Sequence, residues 1–124
     1  TSLFSLLIFV ILALVLPHPS LHTPQLTCGA NRTISSSRHN LKPGDTLYVK
    51  GTCVENVFIP ASLHDVVLDG QGAATIHGAD PSRPTVWIRG RGITVKGFRI
   101  TGGYEGVFVD RGTATVEHNA IHAV

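Results

Sequence analysis

The stretch "VWIRGRGITVKGFRI" (86–100) returns as "VFVDRGTATVEHNAI" (107–121). Val86 and Val107, Ile88 and Val109, Ile93 and Ala114, Val95 and Val116, and Ile100 and Ile121 each stand 21 positions apart, while nearly every polar residue between them differs. What repeats is shape. Short strands in which every second residue is apolar bury one face only, so such a unit must stack on copies of itself. The pattern predicts an all-β solenoid, a parallel β-helix of about 21 residues per rung.

Working outward, short strands are expected at 47–49, 57–59, 66–68, 75–77, 86–88, 93–95, 98–101, 107–109, 114–116 and 120–122. Gly-containing corners ("DGQG", "HGAD", "RGRG", "TGG", "DRG") separate several of them. "NRTISSSRHN" (31–40) is polar and loop-like, and no segment after the first residues sustains a 3.6-residue period, so no helix is expected there. Asn31-Arg32-Thr33 is a glycosylation acceptor in a eukaryotic host. A β-sandwich would want longer strands and two-residue hairpin turns, and would leave the 21-residue echo unexplained. The turn before the echo is longer: Val57 to Val86 is 29 positions, and Val66 to Ile93, Leu68 to Val95 and Gly70 to Gly97 are each 27. The extra residues are expected to bulge out around "GADPSRP" (78–84), and loops between rungs are where solenoids carry their variation.

Stacking accounts for part of the polar change. Arg89 falls over Asp110 and Lys96 over Glu117, placing opposite charges on neighbouring rungs. A second ladder is aromatic: Leu47-Tyr48-Val49, Val57-Phe58-Ile59, Val86-Trp87-Ile88 and Val107-Phe108-Val109 each set a ring between apolar flanks. If the flanks point inward the rings point outward, where they offer a platform for the apolar C–H faces of sugars. Tyr48 sits close to the N-terminal cap and stands apart from the regular stack. Phe58, Trp87 and Phe108 are therefore the candidate ligand-binding residues. The competing expectation is that a terminal segment, the insertion loop or a partner subunit covers them.

Other chemistry is sparse. Asp69, Asp80, Glu105, Asp110 and Glu117 include potential acids or metal ligands, yet nothing in the sequence pairs them as glycoside hydrolysis requires. His118 and His122 would share a helix face but fall on strand-like positions. There is no D-x-D or nonapeptide Gly-Asp repeat for calcium, no phosphate loop and no G-x-S-x-G elbow. No catalytic residue, metal ligand or cofactor is assigned. The formal charge is only +2 and the basic residues are scattered, so nucleic-acid binding, which wants a basic stripe with stacking aromatics, is not expected.

Residues 3–16, "LFSLLIFVILALVL", are uncharged and are followed by Pro17. A secretory apolar region runs roughly 7–15 residues and a membrane span about 20, so a signal peptide is expected, with an uncleaved N-terminal anchor as the alternative and the sole membrane contact. Either exports the remainder to the periplasm, the cell surface or the medium. Cys28 and Cys53 suit that compartment and are read as a disulfide tying the cap. Residues 1–24 thus read as leader and spacer, 25–56 as the N-terminal cap with the first strand, and 57–124 as about three rungs. Because the chain starts at Thr1 and stops at Val124, just past a repeat, it reads as a piece of a longer protein.

"LKPGDTLYVKGTCVENVFI" (41–59), "VVLDGQGAATIHG" (66–78) and "GITVKGFRITGGYEGVFVDRGTATVEHNAI" (92–121) together resemble the N-terminal part of secreted right-handed parallel β-helix proteins of the pectate-lyase-like superfamily. "LDGQG" looks like the Asp-Gly corner of polygalacturonase-type helices. Asn119 sits where such helices place a stacking asparagine, while the rung before it holds Phe98. The resemblance implies a right-handed helix in a group of polysaccharide lyases, hydrolases, esterases, epimerases and non-catalytic surface proteins. It transfers no catalytic residue, because the polygalacturonase motifs have no match here and Arg99-Ile100-Thr101 lacks the lysine of Arg-Ile-Lys. The expectation is an exported β-helix that binds or acts on extracellular polysaccharide. The alternatives are a lyase or hydrolase whose catalytic residues, and any calcium, belong to further rungs, and a periplasmic or surface scaffold.

Overall fold

The computed structural model describes residues 24–122; the apolar leader and most of its spacer lie outside the described residues. The described chain is all-β apart from one short helix, and its strands stack mostly in parallel as a solenoid of about four turns averaging about 23 residues. The elements are β1 (Gln25–Thr27), α1 (Ile34–Ser37), a 3-10 turn (Arg38–Asn40), β2 (Thr46–Lys50), β3 (Thr52–Val54), β4 (Val57–Ile59), β5 (Val67–Gly78), β6 (Val86–Ile88), β7 (Ile93–Gly102), β8 (Val107–Val109), β9 (Ala114–Glu117) and β10 (Ala120–His122). Expected strand pairs 66–68/75–77 and 93–95/98–101 merge into β5 and β7, each running around a corner. β1 and β3 are strands the alternation did not reveal, being three residues long with a single buried position each.

Three faces result. One is the sheet β4-β6-β8, and the other two are the halves of a bent sheet in which β5 and β7 each contribute to both. Register explains how turns of unequal length stay stacked. The offset is 29 between β4 and β6, 27 between the first halves of β5 and β7, 24 between their second halves, and 21 in every pairing of the last turn. Strand columns remain aligned because each surplus is shed at a corner: within 78–84, as expected, and also in a bulge between Asp69 and Ala74.

Inside, columns of β-branched and leucine side chains fill the bore. Val57, Ile59, Val66, Leu68, Ile76, Val86, Ile88, Ile93, Val95 and Ile100 are all buried, as the alternation requires. Val109, Val116 and Ile121 continue those columns but stay 39–46% exposed on the last described turn. Two corner devices link the turns. Phe98, 2% exposed, lies against Gly70, where a Cβ would come within 2.7 Å of the ring; only glycine fits there. Asn119 binds the preceding corner through its carboxamide, accepting from the Phe98 N–H (2.9 Å) and donating to the Val95 carbonyl (2.9 Å).

At the N-terminal end the expected loop contains a single helical turn. Thr33 and Ser36 form a reciprocal capping box, and the Glu55 carboxylate accepts from the Ile34 and Ser35 N–H groups (2.7 and 3.0 Å) and the Ser35 hydroxyl (2.6 Å). These contacts satisfy amides that a helix of four residues cannot bond internally, and they hold Ile34 fully buried in the core. Cys28 and Cys53 are joined, as read from the sequence.

Candidate functional site

The face β4-β6-β8 carries the aromatic residues. Parallel pairing stacks Phe58 on Trp87 and Trp87 on Phe108, since each is the central residue of a three-residue strand whose flanks turn into the bore. Ring centroids are 5.2 Å apart for Phe58–Trp87 and 6.1 Å for Trp87–Phe108, with interplanar angles of 65° and 50°. The rings thus form a tilted zipper in edge-to-face style, which suits their quadrupoles better than stacking flat. Tyr48 belongs to a different face: it pairs with Gln25 and Asp69. Alternation tells inward from outward but does not tell which of three faces a strand joins.

Two arginines flank the zipper. The Arg38 guanidinium lies 5.9 Å from the Phe58 ring centre and donates to the Phe58 carbonyl. Arg89 lies 5.1 Å from Trp87 and 5.9 Å from Phe58, and its Nε donates to Asp110 at 3.0 Å across the rung, as the 21-residue offset predicted. Lys96 and Glu117 also stand in register. The hydrogen bond from Arg89 holds the Asp110 carboxyl below its usual pKa; desolvation opposes this and the nearby Arg111 assists. A carboxyl whose pKa is depressed by folding stabilises the fold above its unfolded value, and that contribution is lost as pH falls through the folded value. Acid titration of stability below about pH 4 should therefore be shallower in Asp110→Asn than in the parent, and an identical slope would show the pair to be inert.

Beside Trp87 and Phe108 the surface sinks into a hollow of about 230 Å³ lined also by Ser82, Pro84, Tyr104 and Glu105. Its walls are two corners tied together. Asn56 donates to the carbonyls of Asp80, Arg83 and Pro84 and accepts from the Asp80 N–H. Asp80 in turn binds the N–H and hydroxyl of Ser82, which lowers its pKa. Tyr104 N–H reaches the Arg83 carbonyl at 2.8 Å. The insertion at 78–84 is thereby a shaped wall. Tyr104, 74% exposed, extends the aromatic surface around the corner; its position within "GGYEG" was the signal, an aromatic ring in a glycine-flanked turn. The indole N–H of Trp87 is buried and has no acceptor among the described residues.

The remaining polar candidates are dispersed. Asp69 accepts from the Gln71 N–H (2.8 Å), Asp80 and Asp110 have the partners just given, and Glu105, Glu117, His118 and His122 are exposed. Among the described residues, a grouping of three metal-type side chains occurs at Cys28, Cys53 and Glu55, where both sulfurs are committed to the disulfide and the carboxylate to α1. The arrangement defines a parallel β-solenoid with an aromatic row along one face and a groove beside its Trp87 and Phe108. No family model, curated protein or solved structure matches the chain.

Proposed function

We propose that this chain belongs to an exported β-helix protein that binds extracellular polysaccharide along the β4-β6-β8 face. One observation carries the reading: Phe58, Trp87 and Phe108 are in register on successive rungs and open, at Trp87 and Phe108, into a hollow walled by Tyr104 and the Asn56-held insertion. Aromatic faces suit the C–H side of a pyranose, and Ser82 and Glu105 supply hydrogen bonding at its edge. A ligand running along the solenoid axis would meet a ring on each rung, with centroids 5.2 and 6.1 Å apart. The apolar leader and the disulfide support export. The sequence resemblance to the pectate-lyase-like superfamily supports the ligand class.

Trp87 is the sole tryptophan, so its emission reports on this groove alone. Titration with a panel of neutral and uronic oligosaccharides should quench or shift that emission for at least one member, and Phe108→Ala should weaken the response roughly tenfold, as loss of a central aromatic contact does. Unchanged Trp87 emission across the panel at millimolar sugar would remove the reading. Product formation in the same mixtures, read as ultraviolet absorbance or reducing ends, would instead mark a lyase or a hydrolase.

A further inference from the structure

A second hollow, of about 230 Å³, lies on another face, lined by Gln25, Leu26, Thr27, Tyr48, Lys50 and Gln71. Its floor is built by strand pairing. Gln25 stacks on Tyr48 and Thr27 on Lys50, all at outward positions of β1 and β2, with Leu26 buried between them. Its wall comes from the β5 bulge. The offset to β7 falls from 27 to 24 between Asp69 and Ala74, and the residues displaced there carry Gln71 to the rim of the hollow.

Gln71 sits in the left-handed region at φ 56° and is followed by Gly72 at φ 77°. A side chain adopts that conformation only at a cost, which glycine would not incur. Asp69 Oδ1 fixes the turn by accepting the Gln71 N–H, so the bulge could be made without a carboxamide. What glutamine adds is a donor and acceptor beside Tyr48. Bulges that re-aim a side chain in this way are over-represented next to binding and active sites, and strain at one residue points to function.

The groups gathered here are one half-buried phenol ring, two carboxamides, a hydroxyl and an ammonium. A flat aromatic face receives the C–H side of a sugar ring. Carboxamides, each offering donors and an acceptor, match adjacent hydroxyls, and Lys50 favours a ring bearing a carboxylate. We infer that the Tyr48 hollow is a pyranose-binding subsite separate from the Trp87 groove. The ligand class rests on the proposed function; the location does not.

The test uses the full chain, isotopically labelled, with cello-oligosaccharides and oligogalacturonides as probes, reading Trp87 emission and the amide shifts of Thr27, Tyr48, Lys50 and Gln71 together. The expected result is saturable shifts at those four amides. Tyr48→Ala and Gln71→Gly should each weaken them about tenfold while leaving the Trp87 response intact. Gln71→Gly relieves the left-handed backbone, so a loss of binding in that variant is not a loss of fold. Tighter binding of the uronic probe, abolished in Lys50→Gln, would assign the carboxylate to Lys50, and equal binding of both probes would assign a neutral ring. Shifts confined to the Trp87 groove, or variants that bind like the parent, overturn the Tyr48 subsite and leave the proposed function standing. Shifts at the Tyr48 hollow with a silent Trp87 do the reverse, and no response to any probe at either place overturns both.

Discussion

Phe98→Ala should lower the unfolding free energy by about 3–5 kcal/mol in equilibrium denaturation, the range for emptying a buried aromatic site. Phe98 is 2% exposed and stands at the corner between the two halves of β7, pairing in register with Ala74 of the turn beneath. Its ring lies on bare backbone at Gly70, and its own N–H is held by Asn119 from the turn above. Neighbours fixed on both sides cannot collapse into the space the ring leaves, which places the cost toward the upper end. Phe98→Leu keeps most of the volume and should cost under about 1.5 kcal/mol. An alanine variant that loses less than about 1 kcal/mol would show the corner to be loosely packed and the turns to be held by strand pairing alone.

Removing the Cys28–Cys53 bond in a double serine variant should cost about 3–4 kcal/mol, from the entropy that a crosslink across 25 residues takes from the unfolded chain. The loop it closes contains α1 and β2, and Cys53 is itself 1% exposed. The damage should be local first. In hydrogen exchange, amides of β1 and α1 should lose protection before those of β6 and β7, because a solenoid turn is supported only by its neighbours. Glu55 should retain part of the cap, since it grips α1 independently of the sulfurs. A midpoint equal to that of the parent would mean that α1 docking and Glu55 already hold the end of the stack.

The inward columns, the Arg89–Asp110 contact and the insertion at 78–84 were legible in the sequence, because each follows from an alternation or a fixed offset, and the disulfide was legible because two cysteines follow an expected export signal. What escaped has no period to betray it. Four residues cannot display a helical repeat, so α1 read as loop, and Glu55, acting through backbone amides 20 and 21 residues away, left no pattern. Tyr48 shares the triplet composition of the Phe58–Trp87–Phe108 row, and only its nearness to the cap set it apart in the sequence. Its place on another face depends on how many strands precede it around the turn, and β3 was invisible. The bulge at Gln71 was hidden for a related reason: Leu68 to Val95 and Gly70 to Gly97 share an offset in sequence, whereas in space the register slips just after Asp69.

The uneven offsets also describe how this chain could be edited. Between neighbouring turns the path length differs by up to eight residues, 29 against 21, while every strand column keeps its alignment. Length is thus a property of corners and order a property of strands, two quantities that most folds cannot vary separately. The segment 78–84 behaves as a socket with its own latch, Asn56, on the turn below. Foreign peptides exchanged into that socket would inherit a fixed exit point on a rigid frame.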